Sequence, residues 1–276
     1  MASSLRTVYS YRTNPKPEVR RPALHGRHRW LSLFSAISVI TLVVGLFCAL
    51  IVAIDMARGH SQRMTIMNAV WPINALYLGP LALWAYYTIG RSMTKQEKAS
   101  MPHHANTADA KMRFDRPMDN SHRHHKEKPF WQTVFVGTMH CGAGCTLGDI
   151  LAEFTIFYIG LTIAGMAIRP ELIGDYALAF ALGIVFQYFA IVPMRQLSPR
   201  AGIAAALKAD ALSLTTFEIG LFGWMVLMRF VFFHTSPLHP DEARYWFMMQ
   251  IGMALGFLTS YPMNWWLITR GIKEAM

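Results

Sequence analysis

"FWQTVFVGTMHCGAGCTLGDILAEFTIFYIGLTIAGMAI", Phe130 to Ile168, decides how this chain folds. Its 39 residues hold two carboxylates, Asp149 and Glu153, and no Lys or Arg. A hydrocarbon core of about 30 Å is crossed by about 20 residues of helix. The run is therefore too long for one straight span and too short for two spans and a turn. It predicts a membrane-surface or re-entrant stretch over about Phe130–Gly144 that feeds a helix over Leu147–Ile168. Gly142, Gly144 and Gly148 sit at the junction, where a bend costs least. This start is expected to pack against the last two helices of the chain.

The rest of the chain has the same character. It is 53% hydrophobic and 15% charged, with mean hydropathy +0.27; soluble domains carry about 25% charged residues. An all-α, polytopic transmembrane helix bundle follows. Six segments can span: Trp30–Ile54, Ile66–Ile89, Leu147–Ile168, Asp175–Met194, Ala209–Phe233 and Trp246–Thr269. They divide the chain into a basic tail (1–29), a two-helix membrane hairpin (30–89), a His-rich polar loop (90–129) and a four-helix membrane domain (130–276). The tail is polar and too long to be the start of a signal peptide. No internal repeat and no nucleotide-binding loop is present.

The net charge of +10 is read as topology rather than as nucleic-acid binding. Twenty-one Lys and Arg fall in the tail, the 90–129 loop, the loop after Met194 and the C-terminal end; only Arg58, Arg63, Arg169 and Arg244 fall in the opposite loops. Arg229 lies near the outer end of the fifth span. The excess predicts that both termini face the cytoplasm. Three cysteines, Cys48, Cys141 and Cys145, exclude a disulfide framework. On the cytoplasmic side the thiols of the motif stay reduced.

Within that motif, Met139, His140, Cys141 and Cys145 form a candidate metal site. Thiolate, thioether and imidazole suit Cu(I); thiolate and imidazole suit Zn(II). Cys141, Cys145 and Asp149 share a helical stripe, and Glu153 follows it. Asp149 and Glu153 are candidates for orienting ligands or taking protons. Gln187, Glu218 and Asn264, at similar depth with Asp210, complete a candidate ion path, since ionisable groups in membranes mark such paths. A second reading makes the motif a packing seam: Gly144 and Gly148 form GxxxG, as do Gly252 and Gly256. His103, His104, His122, His124 and His125 in the loop fit either a metal-capturing segment or a solvated linker.

Three functions are weighed: soft-metal binding for transport, delivery or homeostasis, with the lipid bilayer, a metal ion and a cytosolic metal donor as partners; a non-enzymatic scaffold; and a membrane redox protein. Haem is disfavoured because His140 has no second histidine at matching depth. A thiol oxidoreductase would want a partner cysteine pair, which is missing. No catalytic residue set is read.

"HCGAGCTLGDILAE" at His140–Glu153, the closing "LTSYPMNWWLITRGIKEAM" at Leu258–Met276 and the upstream "VWPINALYLGPLALWAYYTIGR" at Val70–Arg91 resemble the DUF4396 family of bacterial and archaeal membrane proteins. The resemblance covers about Phe130–Met276, with the two-helix extension before it. It implies a multi-pass protein of a prokaryotic plasma membrane and supplies no activity.

Overall fold

The computed structural model describes residues 24–60, 62, 64–91, 129–161 and 168–273. Most of the basic tail, and the His-rich loop with His103, His104, His122, His124 and His125, lie outside the described residues. Among the described residues all regular structure is helical.

Helix α1 runs Leu24–Asp55 and ends in a wide turn at Met56–His60, where Gly59 takes φ 113°. The second expected span is broken into α2 (Met67–Leu78) and α3 (Pro80–Ala85). Gly79 separates them at φ 52°, ψ −123°, a conformation that favours glycine. Pro80 has no N–H to continue the ladder of α2. A further wide turn, Tyr86–Gly90, follows α3. The Arg91 guanidinium then grips the Asp55 carboxylate in two hydrogen bonds of 3.0 and 3.1 Å, and the Tyr86 hydroxyl donates to it at 2.8 Å. These bonds close the hairpin at its end.

Helix α4 spans Phe130–Ile159 without interruption. The expected break or re-entrant start between Phe130 and Gly148 does not occur. The chain turns instead at Gly160, which takes a left-handed conformation (φ 70°, ψ 34°) and donates its N–H to Ile156 at 2.9 Å. This is a glycine C-terminal cap. The long apolar run thus holds one helix that ends at Gly160, and its last residue, Ile168, is the first of α5 (Ile168–Arg195). Helix α6 (Pro199–Leu227) starts with a proline in its first turn and closes in a wide turn at Met228–Phe232; α7 covers Ala243–Thr269.

Among the described residues four helices are long and apolar enough to cross a membrane, over Ser32–His60, Phe130–Ile159, Pro170–Val192 and Pro199–Phe232. The expected spans Ile66–Ile89 and Trp246–Thr269 are not among them. The first is interrupted at Gly79. The second is long enough, ~40 Å at the helical rise, but Gln250, Thr259, Ser260 and Asn264 hold its hydropathy down. Outward faces of α1, α5 and α6 carry exposed Leu46, Phe47, Phe189 and Ile219. An apolar surface of that kind fits lipid contact rather than water.

Helix α4 is the centre of the bundle. Every residue from Val136 to Thr146 is buried. Its most extensive packing is on α5, with α2, α6 and α7 also against it. The expected packing on the last two helices is therefore only part of its surroundings. A Cβ on Gly144 would come within 2.5 Å of the Gly183 Cα, and one on Gly148 would collide with the Ala179 backbone. The glycines of the motif let α4 and α5 approach closely, and the helix runs through them unbroken.

Candidate functional site

Helical geometry sorts the motif onto different faces of α4. Cys141, Cys145 and Asp149 recur every fourth residue and form one stripe. The Cys145 thiol lies beside the Cys141 thiol and the Glu218 carboxyl of α6. Asp149 comes next along the stripe, also within electrostatic reach of Glu218. The three cysteines of the chain are free and buried. Both oxygens of Glu218 and of Asp149 lack a hydrogen-bond partner, although the two side chains are 1% and 0% exposed.

Tyr77 of α2 stands within electrostatic reach of both thiols. It donates a 2.6 Å hydrogen bond to Asn74 Oδ1, and Asn74 Nδ2 donates to the Met139 carbonyl at 2.7 Å. Gly142 makes room for this clamp: a Cβ there would lie 2.8 Å from the Tyr77 hydroxyl. Asn74 and Tyr77 are therefore part of the site, and composition alone did not single them out.

His140 points elsewhere. Its ring meets Phe186 edge-on at 6.2 Å and lies within reach of Asp210 and Lys273. Both of its ring nitrogens are buried without a partner. Consecutive residues of a straight helix are about 100° apart, so Met139 and His140 diverge from the cysteines. The expected set of Met139, His140, Cys141 and Cys145 is thus drawn from three faces. Among the described residues, no three His, Cys, Asp or Glu side chains gather in the arrangement of a metal site.

Two further polar groups flank the thiols along the bundle. At one end Lys273, fully buried, donates to Asp210 Oδ1 at 2.5 Å and to Asn264 Oδ1 at 2.7 Å. Ser213 donates to the same Asp210 oxygen at 2.5 Å, and Asn264 donates to Ser260 Oγ at 2.9 Å. Asn264 and Asp210 are thereby structural partners of a buried cation. Lys273, read from sequence as a loop charge, is not in a loop: Gly271 (φ 66°) folds the chain back after α7 and carries it into the bundle. Gln187 is buried on α5 with both amide atoms unpaired.

At the other end Glu153 lies close to Asp175 of α5 and Tyr245 of α7, with Glu171 also in reach. No hydrogen bond closes among Glu153, Asp175 and Tyr245, all of them buried. Beyond Tyr245 a cavity of about 30 Å³ is lined by Glu171, Arg229 and His239 among apolar neighbours. Asp175 and Tyr245 were not legible as site residues. The signal for Asp175 was its place four residues after Glu171, on the face that turns inward once α5 begins at Ile168.

No curated protein and no solved structure matches this chain. A family model described as a domain of unknown function, DUF4396, matches residues 130–273, from the first residue of α4 to the buried lysine. More than half of the chain lies within that match, and the chain belongs to the DUF4396 family.

Proposed function

We propose that this is a six-crossing plasma-membrane protein with both termini in the cytoplasm, and that it binds a soft or borderline transition-metal cation in its interior for transport or delivery. Cys141 and Cys145 are the proposed thiolate ligands. Glu218 is the proposed further donor, drawn in on binding since the described residues hold no preassembled three-donor cluster, in place of Met139 and His140, which leave α4 on other faces. Cu(I) can be held by the two thiolates; Zn(II) would draw on the carboxyl groups as well. The observation that carries the reading is the Glu218 carboxyl beside Cys145, buried and without a hydrogen-bond partner. An unpaired buried carboxyl is costly, and a bound cation is the kind of partner that offsets the cost.

A scaffold reading is favoured by one observation, the close approach of Gly144 and Gly148 to Gly183 and Ala179. That seam lies beside the thiol stripe, so it accounts for the glycines and leaves the cysteines and Glu218 unexplained.

Purified protein titrated anaerobically with Cu(I) against a competing chelator, and separately with Zn(II), tests the reading. Cys141→Ser or Cys145→Ser should each weaken retention at least tenfold, about 1.4 kcal/mol. Wild-type protein that holds neither metal, or serine variants that hold metal as tightly as wild type, would leave the packing seam as the explanation.

A further inference from the structure

The oxygens that hold Lys273 outnumber what its ammonium can serve. Four of them face Nζ: Asp210 Oδ1 at 2.5 Å, Asn264 Oδ1 at 2.7 Å, the Gly137 carbonyl at 3.4 Å and Ser213 Oγ at 3.5 Å. A lysine carries only three N–H donors. The other oxygen of the same carboxylate, Asp210 Oδ2, is buried and has no hydrogen-bond partner among the described residues. An alkali cation has no fixed donor directions, and carbonyl-type oxygens can replace its hydration shell.

Bonds that do not involve the lysine fix how these oxygens point. Asn264 spends its N–H groups on the carbonyl and the hydroxyl of Ser260, both at 2.9 Å, which leaves Oδ1 free to face Nζ. Ser260 Oγ donates in turn to the Ser213 carbonyl at 3.0 Å. Ser213 gives its one proton to Asp210, so its own oxygen is left as an acceptor. The set draws on α4, α6 and α7 and holds one carboxylate, one amide oxygen, one hydroxyl and one backbone carbonyl. Such hard oxygen donors suit alkali and alkaline-earth cations, and a single negative charge balances a monovalent one.

The lysine enters from an exposed end of the bundle. Helix α7 ends in a glycine cap: Gly271 takes φ 66°, and the N–H groups of Ile272 and Lys273 both donate to the Leu267 carbonyl, at 3.0 and 3.2 Å. Thr269, Arg270 and Gly271 are exposed. The flexible four-carbon stem of Lys273 can therefore leave the site without breaking a turn of α7.

We propose that the Gly137 carbonyl, Asp210, Ser213 and Asn264 form a binding site for a monovalent alkali cation, sodium or potassium, and that Lys273 is a tethered cation that competes for it. With the ammonium in place the site is closed. With an alkali cation bound, the ammonium is released to water. The exchange keeps Asp210 paired with a positive charge throughout, whereas removing the lysine alone leaves the carboxylate uncompensated. None of these residues belongs to the proposed thiolate site, so the inference stands whether or not the thiols bind metal.

The test uses purified protein in detergent, in choline chloride or in sodium or potassium chloride at matched ionic strength. Reductive methylation of the wild-type chain, read by peptide mass spectrometry, should label Lys273 roughly threefold faster in one of the alkali salts than in choline, relative to the exposed Lys208. Lys273→Met should melt about 4 °C or more higher in that salt than in choline, because the ion takes the vacated place. The double variant Lys273→Met, Asp210→Asn should not respond, which separates binding at the site from a general salt effect. Wild-type labelling of Lys273 that is the same in all three salts would overturn the proposal. So would a single variant that melts at one temperature in all of them, or a double variant that responds as the single one does. The labelling reads the wild-type chain and decides the matter alone if Lys273→Met does not fold.

Discussion

Lys273 and Asp210 form an ion pair at 2.5 Å in which neither side chain is exposed, although Lys273 lies four residues beyond the end of α7. The pair ties the C-terminal end of the chain to α6. It is supported by Asn264, Ser213 and the Gly137 carbonyl, the last at 3.4 Å from Nζ. Removing one partner leaves the other charge buried and uncompensated. Lys273→Met is therefore expected to destabilise the bundle by about 3–5 kcal/mol. The double variant Lys273→Met, Asp210→Asn should recover much of the loss, because the lone carboxylate is gone. Thermal unfolding in detergent measures both. A single variant as stable as wild type would show that the pair contributes nothing to the fold.

The contact between α4 and α5 makes a second prediction. Any side chain at Gly148 meets the Ala179 backbone, which cannot rotate away as a flexible side chain does. Gly148→Ala should lower stability by about 1–3 kcal/mol, the usual cost of overpacking. Gly137→Ala is the control, since its Cβ would meet Ile268 Cδ1 at 3.6 Å and Lys273 Cε at 3.9 Å, both ordinary contacts. A thermal-shift comparison should separate the two, with Gly137→Ala near wild type.

The same glycines show where sequence reading stops. The buried, polar character of Thr138–Phe154 and the Cys141–Cys145–Asp149 stripe were legible, because both follow from composition and a 3.6-residue period. Whether an interior glycine bends a helix or receives a neighbour was not, because that depends on Gly183 and Ala179, which lie on the next helix. The turn at Gly160 was missed because apolar residues continue past it. Placing it there starts α5 at Ile168 and makes Asp175 an interior residue. Lys273 was counted with the loops because a charge near the chain end ordinarily stays in water; the sign against this was Gly271, a residue able to reverse the chain.

Topology can be checked without touching the site. If six segments cross, reporter fusions at Gly59 and His239 should read on the far side of the membrane from one at Thr107. The basic excess around the 90–129 loop sets the expected cytoplasmic side. A shared side for Gly59 and Thr107 would mean that the α2–α3 pair does not cross; a shared side for Thr107 and His239 would mean that one of α4, α5 and α6 does not, and the cytoplasmic placement of the thiols would fall with it.

Glu218 allows the two metals to be told apart. Its carboxyl is a hard oxygen donor beside two soft sulfurs, and softness decides which cation depends on it. Cu(I) held by Cys141 and Cys145 has little use for the carboxylate, so Glu218→Gln should change Cu(I) affinity by no more than about threefold. Zn(II), a borderline cation that accepts carboxylate ligands, should lose tenfold or more, about 1.4 kcal/mol. The amide keeps the size of the side chain, so packing around Phe217 and Cys145 is little disturbed. Competitive titration of the same variant with both metals reads the difference. Equal losses for Cu(I) and Zn(II) would point to a general disturbance of the site, and no loss for either would remove Glu218 from the ligand set.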